Sequence, residues 1–460
     1  MNGKPTAIRL FIFSALGLLL EAPLVQSRDP LKQPFRSQSI WNMPIGSGAV
    51  YVPANIQKAT DWGMTVDEDL IVMTPDSSMT EIYHNGAGWD RNKNRCPKEG
   101  KLLMTAPIPK HFVVGPQNWD GATPNSGLAV LMPDRRTVKQ TQPFARCTAG
   151  DYGTSQYVFP DADLYGDGIT GAHGGSGLSA IGGTLRLGEL APGAGPIRHA
   201  LKVNLYAAVN CYYDAKTPGF RWPAVHADGY AAGVYGTKGK PVKACVMGSL
   251  LALPAGMKLD SLGFETEPAR MLAQAFQDYG AYLVDDTYWS VYAVETEWSP
   301  EGRVKDEFKR VWGFEISPNS RNTRWARDMD RIFTNLHVVD NNGPASIGGG
   351  GTPRAPLADP IDPAGADPSG SPVRSFQLNQ NYPNPFNQET RIRYHVSSPV
   401  HVRLDVFDMQ GRRVAVLVDG DQATGRKEIS FSGRDLASGV YCCRLAASNQ
   451  VQTLKMLLMK

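Results

Sequence analysis

Apolar and polar side chains alternate in short runs over much of the chain, the period that puts every second residue on one face of a half-buried strand. His199–Val209 is such a run, with His199, Leu201, Val203, Leu205 and Ala207 on one face, and Thr184–Leu190 alternates too. Leu128–Met132 followed by Asp134-Arg135-Arg136-Thr137 reads as a hairpin with a charged turn. Ala281–Val284 is a continuous apolar run, predicted as a buried strand with Asp285 and Asp286 at its exit. One segment switches to the helical period. Leu272, Ala275, Phe276 and Tyr279 form its stripe, Thr266 stands at the cap, Pro268 in the first turn and Gly280 at the end. A polar, partly helical stretch with Trp312 and Trp325 leads to Leu336–Asp340. The pattern predicts a mainly β fold, sandwich or jelly-roll-like, with one principal helix and with Phe35–Ile45 tucked under the main sheet.

The two ends have their own signatures. Lys4 and Arg9 precede the apolar run Leu10–Leu20, and Val25-Gln26-Ser27 offers small residues for cleavage, so residues 1–27 read as a secretory signal peptide. The run is too short to span a bilayer. Residues 28–358 form the main domain, and Ala358–Ser371 has the Pro, Asp, Ala, Gly and Ser composition of a linker, placed at 359–375. Just before it, Ser346–Gly351 reads either as linker or as a tight ligand-facing loop. Residues 376–460 carry alternating runs at Thr390–Val396, Val402–Phe407 and Arg412–Val418, then a turn at Asp419-Gly420 and a run at Lys427–Phe431. These predict a small immunoglobulin-like β-sandwich.

The last segment closely resembles the C-terminal (type A) sorting domain of type IX secretion cargo. The resemblance rests on Tyr382–Asn387, on Phe407-Asp408-Met409-Gln410-Gly411-Arg412-Arg413-Val414, on Leu436–Tyr441 and on the basic-apolar end around Lys455. It implies type IX secretion machinery as the partner of residues 376–460. It further implies passage through the periplasm and across the outer membrane to the cell surface or the medium. Residues 35–350 are similar to a group of secreted bacterial proteins of unestablished activity. That likeness lies in Ser39–Ile45, Ile197–Leu201, Asp228-Gly229 and Tyr279–Asp285.

A net charge of +3 with 20% charged residues marks no nucleic-acid binder. The 47 Gly, 34 Pro, 17 Tyr and 9 Trp suit a turn-rich β protein that presents aromatic surfaces. Four of the six Cys, at 96, 147, 211 and 245, allow two disulfides in an oxidising compartment, with three possible connectivities. Adjacent Cys442 and Cys443 should point to opposite faces of a strand.

The densest polar cluster is Asp161–His173, where Asp161, Asp163 and Asp167 alternate among glycines and could wrap a calcium ion. His173-Gly174-Gly175-Ser176-Gly177-Leu178 approaches a serine-hydrolase elbow, but Leu178 stands where that motif needs glycine. His199 and Asp228 are the candidate acid/base pair, with His173 or Asp167 assisting and Asp285 a further candidate carboxylate. Trp222, Tyr230, Trp289 and Trp298 stand near these loops. The expected activity is that of a secreted glycoside hydrolase or polysaccharide lyase acting on extracellular glycan. The alternatives are a non-catalytic glycan-binding or adhesion protein and a secreted serine hydrolase.

Overall fold

The computed structural model describes residues 28–90, 92–116 and 123–361, then 376–378, 381, 383–396, 400–423, 425–447 and 450–460. The expected signal peptide, Tyr382 and most of the linker lie outside the described residues. The chain divides into two units between Ala366 and Asp367.

The first unit is built on a 12-stranded mixed sheet. Its principal strands are β1 (Tyr51–Pro53), β2 (Gly63–Val72), β3 (Leu128–Leu131), β4 (Thr137–Gln142) and β5 (Leu201–Leu205). They continue with β6 (Leu250–Ala252), β7 (Ala281–Asp286), β8 (Val291–Ser299) and β9 (His337–Val339). Their order across the sheet is β1-β9-β6-β7-β5-β8-β2-β3-β4. Pairs β5/β7, β8/β2 and β2/β3 are parallel. A second, three-stranded sheet joins Leu102–Pro107, Met79–His84 and Gly153–Ser155. The mainly β expectation holds.

Leu201, Val203, Leu205, Tyr292, Val294 and Met64 point to one face, where they form a core with the helices α1 (Glu267–Asp278), α2 (Val304–Trp312) and α3 (Arg324–Phe333). The predicted helix is thus joined by two others in the partly helical stretch. Thr266 does not cap α1 in the usual way. Its hydroxyl donates instead to Asp328 of α3, at 2.7 Å, and its backbone N–H does the same at 2.8 Å. Gly280, at φ +74°, ends the helix as expected.

On the opposite face, Ile40, Trp41 and Ile45 pack against Ile71, Tyr282 and Val284. Trp41 is 1% exposed, donates from Nε1 to the Gly168 carbonyl at 2.7 Å and meets the Tyr282 ring edge-on. A Cβ on Gly183, at φ +75°, would lie 2.6 Å from that indole, so only glycine lets the loop close over it. Thr184–Leu190, expected as a strand, makes a single bridge from Leu185 to Thr296. Gly188 and the return of Glu189 to cap the Arg186 N–H, at 2.7 Å, turn the chain there. Ser346–Gly351 packs as a tight loop of the first unit rather than as a free linker. Carbonyls of Gly348 and Gly350 accept from Gly46 and Gly48, clamping the N-terminal segment. Cys96 and Cys147 form a disulfide, while Cys211 and Cys245 are buried free thiols.

The second unit pairs a sheet of Phe376–Leu378, Glu389–Val396 and Gly425–Ser432 with one of Arg413–Gln422, Val400–Phe407, Gly439–Ala447 and Gln450–Leu458. Ile392, Val402, Leu404, Leu445 and Met456 share its core. The turn expected at Asp419-Gly420 lies inside a strand, because Gly420 stays paired opposite Val402. Cys443 is buried and Cys442 is not, as opposite faces require.

Truncating Trp41 to Ala removes a buried ring and one hydrogen bond together. It should cost about 3–5 kcal/mol, whereas Trp89→Ala on the surface should stay within about 0.5 kcal/mol. Urea denaturation of the two variants, followed by circular dichroism, measures the contrast.

Candidate functional site: a carboxylate cluster on the polar face of the sheet

Strand alternation sends Asp67 and Asp69 of β2, Lys202 and Asn204 of β5, and Glu295 and Glu297 of β8 to the face away from the helices. Register then puts Glu295 directly opposite Asp67 and Glu297 opposite Asp69. Like charges facing each other across strands are destabilising, so each needs a counter-charge. Glu297 has Arg186, at 2.8 Å. Asp69 has Lys202, at 2.8 Å, together with the Thr184 hydroxyl at 2.6 Å. Asp67 and Glu295 share only the Asn204 amide, which donates to them at 3.3 and 2.7 Å.

Lys202 is wholly buried and uses its three protons on Asp69, on His173 Nε2 (2.9 Å) and on the Ser179 carbonyl (2.8 Å). Burial alone would raise the Asp69 carboxyl, but the Lys202 ammonium and His173 outweigh it and hold Asp69 below the usual range. Burial and the neighbouring ammonium both push the His173 imidazole down, toward its neutral form. Asp67 goes the other way: burial, then the charge of Asp69, raise it to about 6. Burial and the charges of Asp67 and Asp69 put Glu295 well above its ordinary value.

The cluster continues along β7. A bulge between Val203 and Asn204 pairs Asn204 with Asp285. Asp285 is raised well above its usual range by burial and by Asp228. Asp228 is also raised, by burial and then by Asp286, although the Tyr235 hydroxyl donates to it at 2.6 Å. Burial raises Asp286, which accepts from Ala207 N and Tyr288 N at 2.9 Å. Asp67, Asp228, Asp285 and Asp286 are partly exposed, whereas Asp69 and Glu295 are buried. The carboxylates thus run from a partly open rim to a closed interior.

The glycine-rich loop lies over this face. Gln140 pins both of its ends, accepting from Ala172 N and Ala180 N and donating to the Thr170 carbonyl. A Cβ on Gly175 would fall 2.5 Å from Asp285 Oδ1, so the loop backbone sits directly against that carboxyl. Val225 N donates to the Ser176 carbonyl and joins the loop to the segment that carries Asp228.

Of the residues expected from sequence, His173, Asp228 and Asp285 come together here. His199 does not join them. Its ring donates from Nδ1 to the Ala200 carbonyl and meets Glu189 at 3.0 Å from Nε2. Burial alone would lower His199, yet Glu189 outweighs it and the imidazole is raised. Asp161 faces Lys139 at 3.1 Å, Asp163 faces Arg136 at 2.6 Å, and Asp167 accepts from the backbone N–H of Ile169. The three acids considered for calcium therefore face separate partners. Ser176 is wholly buried and its Oγ accepts from Leu178 N, while the His173 ring turns to Lys202 and Asp69. Among the described residues, Asp69, His173 and Glu295 offer ligand atoms within 4.8 Å of one another. The Lys202 ammonium already supplies a cation against two of the three.

Asp67, Asp69, Lys202, Asn204 and Glu295 were not singled out from sequence. Their signal was present in Asp67-x-Asp69 and Glu295-x-Glu297, acids alternating inside strand-forming runs.

Residues 380–459 match the family model described as the secretion system C-terminal sorting domain. One solved structure with a matching segment is described as a structural and functional probing of PorZ, an essential bacterial surface component of the type-IX secretion system of Porphyromonas gingivalis. The match covers 20% of this chain and 13% of that one, at 18% identity and a TM-score of 0.15. No curated protein matches the chain. The sorting domain marks the protein as cargo exported by the type IX system to the cell surface or medium. No helix among the described residues is long and apolar enough to cross a membrane.

A carboxyl raised in the folded state binds its proton more tightly there than in the unfolded chain, so stability falls as pH rises between the two pKa values. For Asp67 that window runs from its ordinary value up to about 6. His199, raised by Glu189, adds stability that is likewise lost as pH rises. The melting temperature should therefore be higher at about pH 5 than at about pH 7.5. Asp67→Asn should reduce the difference by raising the value at the higher pH. Differential scanning fluorimetry across that range checks both the sign and the effect of the substitution.

Proposed function

We propose that the exported unit is a hydrolase that cleaves extracellular glycan by acid–base chemistry at Asp285 and Asp228. The observation that carries this reading is the placement of these two carboxyls on a partly open rim, where the charge of Asp228 acts on Asp285. Both are raised, Asp285 the more strongly. Coupled carboxyls give up their protons in turn, and the pair titrates as a unit. In this proposal Asp285, the more strongly raised, takes the acid's role and Asp228 the base's.

In the reaction the Asp285 proton passes to the glycosidic oxygen as the bond from that oxygen to the anomeric carbon breaks. Water adds to that carbon, and its proton goes to the Asp228 carboxylate. Asp67 and Glu295 lie behind Asp285 and keep its surroundings acidic. Lys202, Asp69 and His173 are positioning residues in this scheme: they hold strand β5 and the loop over Asp285 in register. His199 and Asp167, considered from sequence, have no part in it.

A second reading, glycan binding without cleavage, is favoured by the exposed aromatic pairs Trp89–Tyr157 and Trp62–Trp289. The two readings differ in product.

Incubating the full chain with a set of polysaccharides and reading released sugars by mass spectrometry tests the proposal. Asp285→Asn should lower kcat/KM by about 10²–10⁴-fold, and Asp228→Asn comparably. His199→Ala should leave the rate per folded molecule within about threefold, and undiminished turnover in both Asn variants would remove the assignment.

A further inference from the structure

We propose that Cys211 and Cys245 are joined in the exported protein as a second disulfide, which closes the segment 212–244 at its base and so fixes the stretch that carries Asp228. The bond does not depend on the acid–base reading above.

Geometry comes first. The Tyr212 N–H donates to the Cys245 carbonyl at 2.8 Å. Each of those two atoms lies about 2.4 Å from the α-carbon of Cys211 or Cys245, which holds the α-carbons to at most about 7.6 Å. The bend at the N–H shortens that distance into the span of about 4.4–6.8 Å that a disulfide takes. Both side chains are wholly buried in the core that the sheet shares with the helices. Cys96 and Cys147 are already bonded to each other, so in the first unit these two thiols are left for one another.

The second observation is what lies between them. The regular structure of residues 212–244 is one four-residue helix, Ala231–Val234. Gly236 N and Lys238 N donate to the Ala207 and Ala208 carbonyls at 3.1 and 2.8 Å, which lays this segment back against the residues just before Cys211. Tyr235 is 5% exposed and donates its hydroxyl to Asp228 at 2.6 Å. The charges of Asp286 and Asp228 both bear on the Cys211 thiol, so the bridge and the candidate site share one neighbourhood. A long irregular segment opens locally at little cost. A covalent tie at its base removes many of those open states.

The third observation is the compartment. The sorting domain takes the chain out of the cytosol, beyond the systems that keep thiols reduced there. The bond forms when a thiolate attacks the disulfide of an external thiol–disulfide oxidant and the second cysteine resolves the mixed disulfide. Two thiols lose two protons and two electrons, and the oxidant gains them as its own disulfide becomes two thiols. This must precede packing. Burial, then the neighbouring Cys245, raise Cys211 well above its ordinary value, and burial pushes Cys245 up to about 12. Once folded, the pair is too protonated and too enclosed to react. The conditions during folding therefore set its state.

The test refolds the full chain from the reduced, denatured state, once in a glutathione redox buffer and once in dithiothreitol. Free thiols are then blocked with N-ethylmaleimide in denaturant at low pH and mapped by mass spectrometry. The expected result is a peptide linked through Cys211 and Cys245 from the redox buffer alone, and the same linked peptide in protein exported to the medium. Oxidative folding should raise the melting temperature of the wild type by about 5 °C more than it raises that of Cys211→Ala/Cys245→Ala, which keeps only the first bridge. Amide exchange at Ala231, Tyr235 and Gly236 should slow in the oxidised wild type. N-ethylmaleimide on both cysteines after oxidative folding and in the exported protein, or a link from either to Cys96 or Cys147, would overturn the proposal whether or not the double variant folds. A bridge that forms while exchange across 212–244 stays the same would overturn its hold on the Asp228 segment. Absence of glycan cleavage would count against the acid–base reading and leave the bridge standing.

Discussion

Lys202 carries its ammonium on a central strand with no exposure to water. Taking an ammonium out of water costs several kcal/mol even after relaxation, and a carboxylate offsets that cost only with good geometry and further hydrogen bonds. Here the geometry is met by three acceptors drawn from three parts of the chain: Asp69 on β2, and His173 and the Ser179 carbonyl at two points of the glycine-rich loop. The charge therefore ties two strands and the loop over them into one unit. Removing either charged partner would leave the other buried and uncompensated, a loss of about 3–5 kcal/mol. Neither the sheet register nor the loop position is free to change without breaking this contact.

The loop can follow that constraint because it has so little side chain. Gly175 brings backbone against Asp285, and Gly182 and Gly183 bring it against Trp41. A larger residue at any of these points would lift the loop from the strands by more than a hydrogen bond tolerates. Gln140 fastens the loop from below with both ends of its amide, so a segment without regular structure is still held at defined points. The N-terminal segment is part of the same arrangement, since Trp41 fills the space next to the loop and the chain at 348–350 clamps the same segment at Gly46 and Gly48.

Much of this was legible where the sequence patterns were local. The α1 stripe, the buried run at 281–284, the hairpin at 128–142 and the buried Trp41 segment all follow from period and composition over a few residues. The sorting domain was recognisable because its motifs occur in fixed order. The candidate site was legible only in part. His173 and Asp228 stood out as polar groups beside glycines, and Asp285 as an acid at the exit of a buried strand. Asp67 and Glu295 did not, because their importance lies in facing each other across two strands more than 200 residues apart in sequence, which no local pattern reports. His199 misled for the complementary reason. It sits at the mouth of a strand, as a catalytic histidine might, but Glu189 ten residues earlier folds back and takes its ring. The same distinction separates Asp161 and Asp163 from a cation cage, since the hairpin brings Lys139 and Arg136 beside them.

The distribution of charge across the sheet follows from which carboxylates found a cation. Asp69 and Glu297 have one each and sit at the closed end. Asp67 and Glu295, one step along the same strands, have only an amide between them. Two anions that close in a poorly hydrated site cannot both persist, so protons replace the missing cations. Asp285 and Asp228 extend this toward solvent, where a proton can be exchanged with water or passed to a bound molecule. A fold that wanted only stability would place Val or Thr at Asp67 and Asp285, as its neighbouring strands do elsewhere. Keeping ionisable groups there, at a cost to stability near neutral pH, is the local conflict on which the proposed acid–base role rests.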